Sequence, residues 1–405
     1  MKNIILSSAF CLGVLVSNAQ VKPNTANFEL GSGLNFGLNE GAYTFKISGM
    51  LQPQLAFEKQ GENDADYFFN ARRTYLNFSG TARDEKVSFF FQADFSQPTP
   101  LLDAWISYNP FGEFKIAAGQ KQNVTNNREM LIMEDHLQFP DRSLLSTAYS
   151  NSGRELGLYL ENTFGGERFA VVPQLSVTSG DGKNSFGADS RDIDLGGMKY
   201  GARLDVYPLG TFYEGNEKQI ADLGHEQKPK FVIGAAASYN DGASNPVGEG
   251  HGDFLMYNAL GETQLPDYRQ VYADLLFKFK GFSLLGEYTV ATATSLDGSY
   301  TDIAATEILI PTQISEFLAL GSAYNVQAGY VTRSGYALDV RYSALMPEFE
   351  NNANSAISDT KGWTAGFSKY FKQNALKIQA AVSSYDNASL PNNTLMGQLL
   401  FQVIF

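Results

Sequence analysis

Cysteine is almost absent from this chain: its 405 residues include one, Cys11, which lies in the N-terminal apolar stretch. Lys2, the apolar run 4–16 and the small residues at 17–19 predict a secretory signal peptide over residues 1–19, with cleavage after Ala19. The remaining chain then has no thiol, which excludes disulfides, thiolate metal sites and cysteine nucleophiles. We therefore expect an exported protein.

Long hydrophobic runs are also missing after residue 19, and no stretch of 18 or more apolar residues predicts a transmembrane helix. Aromatic residues are nevertheless common, with 30 Phe and 21 Tyr, while the mean hydropathy is only −0.21. A membrane barrel needs apolar residues at every second position only, so this combination favours a barrel. The net charge of −13 argues against a nucleic-acid or anionic-lipid binder.

Catalytic and metal-binding motifs are scarce as well. His136, His225 and His251 fall in separate predicted loops or turns, and neither Gly-x-Ser-x-Gly nor His-Glu-x-x-His occurs. Four carboxylates share the predicted loop 180–197, but their spacing does not fit a twelve-residue calcium loop: Asp181, Asp189, Asp192 and Asp194. We expect a solvated acidic loop there, and no metal, cofactor or catalytic residue anywhere in the chain.

The dominant positive signal is alternation of apolar and polar residues with a period of two, from about residue 43 to the end. It predicts antiparallel strands of roughly ten residues, longer than the five or six usual in soluble sheets. The predicted strands are 43–57, 67–80, 87–95, 101–108, 113–120, 154–161, 169–179, 198–207, 230–239, 270–279, 282–292, 319–331, 336–343, 362–371, 375–384 and 394–405.

The connections between these strands alternate in length. Short turns follow most even-numbered strands, and long polar segments follow most odd-numbered ones, as in bacterial barrels with tight periplasmic turns and long external loops. Segment 208–229 is the exception, because it is long where a turn is expected, and it leaves the strand count open by one hairpin. An even count puts both termini on the periplasmic side. Residues 20–42 are rich in Gly and Asn, without a clear period, and predict a flexible periplasmic lead-in.

The last strand alternates from Leu395 to the terminal Phe405. A terminal aromatic after such a strand resembles the signal by which outer-membrane barrels are recognised by their assembly machinery. Together these features predict an all-β, membrane-spanning, antiparallel up-and-down β-barrel of about 16 strands over residues 43–405. Its expected location is the bacterial outer membrane, in contact with outer-membrane lipid.

An ordered set of motifs resembles the phosphate-selective porin O and P family along nearly the whole mature chain. The motifs are FFNARRTYLNFSG (68–80), VSFFFQADFS (87–96), LLDAWISYNPFGEFKIAAGQKQ (101–122) and DRSLLSTAYSNSGRELGLYL (141–160). The resemblance implies a 16-stranded, usually trimeric porin whose third external loop, here 121–153, folds inward. It also implies passive diffusion of small polar or ionic solutes, including phosphate or other anions. The chain departs from the family's anion-selective members in having 43 acidic and 30 basic residues, so the sign of its selectivity stays open.

Lumenal charge and pore radius determine what a channel passes. The candidate constriction or anion-binding residues are Arg73, Lys121, Arg128, Arg142, Arg154 and Arg203, facing carboxylates such as Asp94, Asp103, Glu134 and Asp135. The alternative is that these charges pair with one another and merely solvate a polar lumen. Because neighbours on a strand alternate, one of Arg72 and Arg73 is expected to face lipid or the interface, and Arg73 to face the lumen. Two other functions remain open: a plugged barrel acting as an adhesin or receptor through its external loops, and an enzymatic barrel.

Overall fold

The computed structural model describes residues 24–83, 85–151, 153–184, 196–247, 254–294, 298–350 and 352–405. The predicted signal peptide and Cys11 lie outside these ranges, as do His251 and three of the four loop aspartates, Asp189, Asp192 and Asp194. Within the described ranges, no helix combines the length and the apolar character needed to cross a bilayer.

Sixteen long strands form a ring, and the described part of the chain contains nineteen strands in all. In chain order they are β1 Thr25–Glu29, β2 Gly33–Leu38, β3 Tyr43–Gln60, β4 Asp66–Ala82, β5 Val87–Asp94, β6 Leu101–Tyr108, β7 Lys115–Gln122, β8 Arg154–Glu161, β9 Phe164–Gly165, β10 Ala170–Thr178, β11 Lys199–Tyr207, β12 Lys230–Asn240, β13 Asp267–Phe279, β14 Phe282–Thr294, β15 Gly321–Val331, β16 Tyr336–Pro347, β17 Thr360–Lys372, β18 Leu376–Asn387 and β19 Thr394–Ile404. The helices are α1 Arg128–Leu131, α2 Leu144–Tyr149 and α3 Pro311–Ile314, with short 3-10 turns at Asn39–Gly41, Glu134–His136 and Asn216–Lys218.

The sheet closes on itself. Each long strand pairs antiparallel with the next, and β19 returns to β3 with Thr394 opposite Gln60 and Leu399 opposite Leu55. Closure removes the unpaired strand edges that a bilayer cannot satisfy. The sixteen ring strands are β3–β8 and β10–β19, and each overlaps one predicted strand. The prediction of a 16-stranded antiparallel barrel is confirmed, and residues 208–229 contain no strand that would change the count.

Alternation along each strand separates a lipid-facing surface from a lumenal one. In β13, Gln270, Asp274 and Lys278 are buried on the inside, whereas Val271 between them is 55% exposed on the outside. Exposed aromatic side chains such as Trp363 also face outward. The apolar positions therefore face the acyl chains, and the polar positions line the interior.

The described part of the predicted flexible lead-in has regular structure that the prediction did not include. Strands β1 and β2 form a hairpin, and β2 pairs with the start of β3, with Leu34 opposite Ile47. Gly31 and Gly33 take positive φ angles of 94° and 82° in the connecting turn, a conformation that favours glycine. The glycines that suggested a linker therefore serve a tight turn.

Candidate functional site

The connection between β7 and β8, residues 123–153, is the centre of the candidate site. It contains α1, the 3-10 turn Glu134–His136 and α2, and it is described except at residue 152. Loops normally run over the surface, yet most of this segment is buried, including the carboxylate residue Glu129 at 0% exposure. The burial means that the segment packs against protein on several sides.

Its contacts reach inward-facing side chains on strands far around the ring. The amide of Gln138 donates to Asp339 of β16 at 2.5 Å, and Lys377 of β18 donates to the carbonyl of Leu137 at 3.0 Å. Gln402 of β19 donates to the carbonyl of Asp135 at 3.0 Å. The segment is thus held by hydrogen bonds to strands that are widely separated from β7 and β8.

Two predicted constriction cations meet in a compact ion cluster. Arg128 of α1 contacts Asp274 at 2.5 Å and Asp205 at 2.7 Å. Arg203 of β11 contacts Asp205 at 2.9 Å and Asp274 at 2.5 Å. Two guanidinium groups and two carboxylates therefore neutralise each other, which corresponds to the alternative expected for lumenal charges and joins α1 to β11 and β13.

Glu129 fastens α1 to α2. Its carboxylate accepts hydrogen bonds from the backbone N–H of Ser143 at 2.7 Å and the hydroxyl of Ser146 at 2.6 Å, and it pairs with Arg341 of β16. Burial raises the pKa of the Glu129 carboxyl, but Arg341 and Arg142 outweigh burial and bring the pKa below its usual value. Glu129 therefore stays ionised and holds the two helices together.

A cavity of about 390 Å³ lies beside this segment, towards the end of the barrel that carries the long connections. Its wall combines residues of the segment with residues of β4–β6, β8, β18 and β19 and with Lys183 of the connection after β10. The charged residues that line it are Arg72, Arg73, Arg142, Arg154, Lys183, Asp94, Glu134 and Asp141. Three predicted constriction residues, Arg73, Arg142 and Arg154, thus share one cavity.

Most of the charge in this cavity is held in place by pairing. Arg154 contacts Asp103 at 2.7 Å and Glu134 at 3.2 Å, and Arg142 contacts Glu134 at 3.0 Å. Burial raises the pKa of the Glu134 carboxyl, but Arg154 and Arg142 hold it well below its usual value. Glu134 therefore carries its negative charge throughout the neutral range.

The two adjacent arginines of β4 both contact the segment. Arg73 donates to the side chain of Gln52 at 2.9 Å and to the carbonyl of Pro140 at 3.2 Å, and Arg72 contacts Asp141 at 2.7 Å. The prediction that one of them faces lipid or the interface is wrong. The reason is a register shift between β3 and β4 at Gln52, which skips Arg72 and interrupts the alternation. In the described part of the chain, Arg73 has no carboxylate in ion-pair contact.

A family model matches the part of the chain that contains this region. Residues 45–223 match the family model of phosphate-selective porin O and P. The matched range includes the paired arginines, the 123–153 segment and Arg203, so the resemblance recognised in the sequence motifs is confirmed over it.

Solved porin structures have the same fold at low sequence identity. An anion-selective porin from Comamonas acidovorans aligns with a TM-score of 0.56 and 9% identity, over 90% of this chain and 100% of that one. The outer membrane channel DcaP of Acinetobacter baumannii aligns with a TM-score of 0.55 and 12% identity, over 90% and 98% of the two chains. The trimer form of OmpT from Vibrio cholerae gives 0.52 and 11%, over 90% and 100%. A search of characterised protein sequences found no match.

The remaining predicted cation of this porin-like barrel, Lys121, does not line the charged cavity. Its ammonium lies 4.9 Å from the ring centre of Tyr159 and 5.9 Å from that of Trp105. Such cation–π contacts stabilise an ammonium. Its assignment to the constriction stays a prediction.

Sequence reasoning missed two cations of the site. Arg341 pairs with Glu129 and also donates to the carbonyl of Asp141 at 2.9 Å. The polar position of Arg341 in the alternating strand β16 indicated that its side chain faces the lumen. It did not indicate the partner, because Glu129 is distant in sequence. Lys183 lies in a long connection, where no pattern indicated that it would reach the cavity.

The two described histidines lie in different surroundings. The Nδ1 atom of His136 is 2.5 Å from the carboxylate of Asp135, and His225 belongs to segment 208–229. Over the ranges that the structure covers, no group of three His, Cys, Asp or Glu side chains has a geometry suited to a metal ion. Asp181 is the only described member of the loop aspartates.

Proposed function

We propose that this chain is an outer-membrane porin whose water-filled lumen lets small polar or ionic solutes diffuse passively. The observation that carries the proposal is the charged cavity of about 390 Å³ beside the 123–153 segment, inside a closed ring of sixteen strands. An open, charge-lined passage is what a diffusion channel requires. The family match over residues 45–223 supports the same function.

In this proposal the 123–153 segment is the inward-folded third external loop and narrows the pore. Support comes from its burial and from its hydrogen bonds to β13, β16, β18 and β19, which a loop lying outside the ring could not make. The narrowest passage then runs between this segment and the wall formed by β4–β6. Its radius and charge determine which solutes pass.

The proposed constriction favours anions. Five cations and three carboxylates line the cavity, and Arg73 has no carboxylate partner among the described residues. The Arg73 guanidinium interacts with Glu134 and Asp141 over distances longer than an ion-pair contact, so it can also attract a passing phosphate or chloride. Arginine suits phosphate because its planar fork of donors matches two oxygens. Phosphate preference is the finer form of this proposal.

Three further features belong to the same proposal. Residues 1–19 act as a cleaved signal peptide, and the barrel assembly machinery recognises the terminal strand, whose Phe405 exchanges backbone hydrogen bonds of 2.6 and 2.9 Å with Gly49 of β3. The chain forms a homotrimer in outer-membrane lipid, as the trimer form of the Vibrio cholerae protein suggests. No catalytic role is proposed.

Planar-bilayer recording tests the channel. The protein should insert in discrete conductance steps, and its reversal potential in a KCl gradient should indicate anion preference. Adding phosphate should reduce the chloride current by competition if phosphate is preferred. A barrel that inserts without steps would instead favour an adhesin or receptor, and strong cation selectivity unaffected by phosphate would refute the anion assignment.

A pair of arginine variants tests the constriction itself. Arg73→Gln removes the cation without a carboxylate partner and should shift the reversal potential towards cation preference. Arg269→Gln is the matched control, because Arg269 lies on the outside of β13 against Tyr239, at 5.3 Å from its ring centre. If both variants behave like the unmodified channel, Arg73 does not contribute to selectivity.

A further inference from the structure

The long connection between β11 and β12, residues 208–229, is unusual for its position. It is the longest connection at the end of the barrel that otherwise carries the short turns, which we assign as periplasmic. A connection of this length at a barrel mouth could extend into solvent. Here its central residues Ile220, Ala221 and Asp222 are buried, so the segment packs into the molecule.

Buried polar contacts hold this segment across the periplasmic mouth. The ammonium of Lys278, an inward-facing and fully buried residue of β13, donates to the carbonyls of Asn216, Gln219 and Ala221 at 2.5, 2.7 and 3.3 Å. Asn374, between β17 and β18, donates to the side chain of Gln219 at 2.7 Å. The segment therefore reaches from β11 and β12 to strands five positions or more further around the ring.

The same segment also meets the 123–153 segment from the opposite end of the barrel. Phe212 and Ile220 pack in one buried apolar cluster with Ile132 and Leu137. Apolar packing of this kind stabilises both segments at the expense of water-filled space.

The passage left at the periplasmic end is a cavity of about 1190 Å³ between segment 208–229 and strands β8, β10 and β11. Its charged residues are Glu161, Glu167, Asp205, Glu214, Glu217, Glu226, Arg168, Lys228 and Lys230. Setting aside Asp205, which is neutralised by Arg128 and Arg203, and Glu161, which pairs with Lys115 at 3.1 Å, four carboxylates still face three cations. The external cavity has the opposite excess: setting aside Arg154, which pairs with Asp103 at 2.7 Å, four cations face three carboxylates.

Glu226 contributes a buried carboxylate to the wall of this cavity, and it interacts electrostatically with the ammonium of Lys278. Its side chain is 0% exposed, and its Oε1 atom accepts hydrogen bonds of 2.8 Å from the N–H of Tyr213 and from Asn216. Its Oε2 atom has no hydrogen-bond partner. A buried carboxylate oxygen without a donor costs free energy unless a cation or water compensates it.

We infer that segment 208–229 makes the pore a rectifier, with a basic external zone and an acidic periplasmic zone in series. This inference rests on the proposed function, because it requires an open channel. Fixed positive charge concentrates anions and fixed negative charge concentrates cations. A voltage that is positive on the periplasmic side drives anions inward and cations outward, so both accumulate where the zones meet and the current rises. The opposite voltage depletes that junction and lowers the current.

Single-channel current–voltage curves test the inference. At about 0.01–0.1 M KCl, where the screening length is roughly 10–30 Å, the currents at equal and opposite voltages should differ by at least about 1.5-fold. At about 1 M KCl, where screening falls to roughly 3 Å, the ratio should approach one. The orientation of the inserted barrel is determined with a Cys11→Ser, Asn393→Cys variant. Asn393 is exposed in the external connection before β19, so a bulky maleimide labels the new cysteine only when added to the chamber that faces the external side.

A triple substitution separates the acidic zone from other sources of asymmetry. Glu167→Gln, Glu214→Gln and Glu217→Gln together should bring the low-salt current ratio close to one. The matched control replaces three exposed glutamates of the external connections, Glu62, Glu307 and Glu350, by Gln and should keep the ratio. Three results would overturn the rectifier but not the porin, provided that conductance steps are seen. They are a symmetric current–voltage curve at low salt, rectification of the opposite polarity, and a current ratio that the Glu167, Glu214 and Glu217 substitutions do not change. The absence of any steps would overturn the proposed function instead.

Discussion

The ion cluster between α1 and the barrel wall should control whether the 123–153 segment stays docked. Arg128→Met removes the contacts of 2.7 and 2.5 Å to Asp205 and Asp274. Among the described residues, Arg203 is then the one cation in ion-pair contact with these two buried carboxylates. Removing one partner of a buried ion pair costs about 3–5 kcal/mol. Because each 1.4 kcal/mol changes an equilibrium tenfold, the ratio of docked to undocked segment should fall by about two to three and a half powers of ten.

Single-channel recording and thermal unfolding measure this effect. The Arg128→Met channel should show frequent transitions to larger conductance levels, because an undocked segment no longer narrows the pore, and its unfolding temperature should be lower. The double variant Arg128→Met, Asp274→Leu keeps one cation and one carboxylate, Arg203 and Asp205, which are 2.9 Å apart. Replacing a complete buried ion pair by apolar residues is often neutral for stability. The double variant should therefore recover most of the thermal stability and show few transitions to larger conductance levels.

Two results would refute this reasoning. One is an Arg128→Met channel with the conductance, noise and unfolding temperature of the unmodified protein, which would mean that the cluster does not hold the segment. The other is a double variant no better than the single one. In that case the loss would come from the missing arginine side chain itself and not from uncompensated carboxylate charge.

Three further predictions concern other parts of the barrel. Lys278→Met removes the ammonium that donates to three carbonyls of segment 208–229, so it should raise the single-channel conductance and reduce rectification at low salt. A channel with unchanged conductance and rectification would show that other contacts hold the segment. Lowering the pH from 7 to 5 should leave ion selectivity at the external constriction unchanged, as reversal potentials can check. Burial raises the pKa of Glu134, but Arg154 and Arg142 lower it well below its usual value, so Glu134 keeps its ion pairs with these arginines until the pH falls below the normal carboxyl range, roughly 4. Phe405→Ala should reduce the amount of folded barrel in outer membranes, measured by heat-modifiable migration. Phe371→Ala, which changes another exposed aromatic residue, should not reduce it. Equal amounts of folded barrel for the two variants would argue against a terminal recognition signal.

Much of the architecture could be predicted because a membrane strand has only two environments. Each residue of β13, for example, faces either lipid or lumen, so apolar and polar residues must alternate, and the strand can be read from local sequence. The same argument failed at Arg72, where a register shift between β3 and β4 skips a residue. Local alternation does not reveal such a bulge, because the shift depends on pairing with a neighbouring strand.

The sequence by itself determined the class of protein: the strands, the order of short and long connections, and the terminal Phe405 all follow from local patterns. Only the tertiary structure decided which charges are available. Arg128 and Asp274 are 146 positions apart and form one neutral cluster with Arg203, while Arg73 lies beside the constriction without a carboxylate partner in the described chain. Charge compensation depends on distances of a few ångströms between groups that ring closure and two inward-packed segments bring together. No local pattern contains those distances, so the fold could be predicted from sequence while the distribution of free charge along the pore could not.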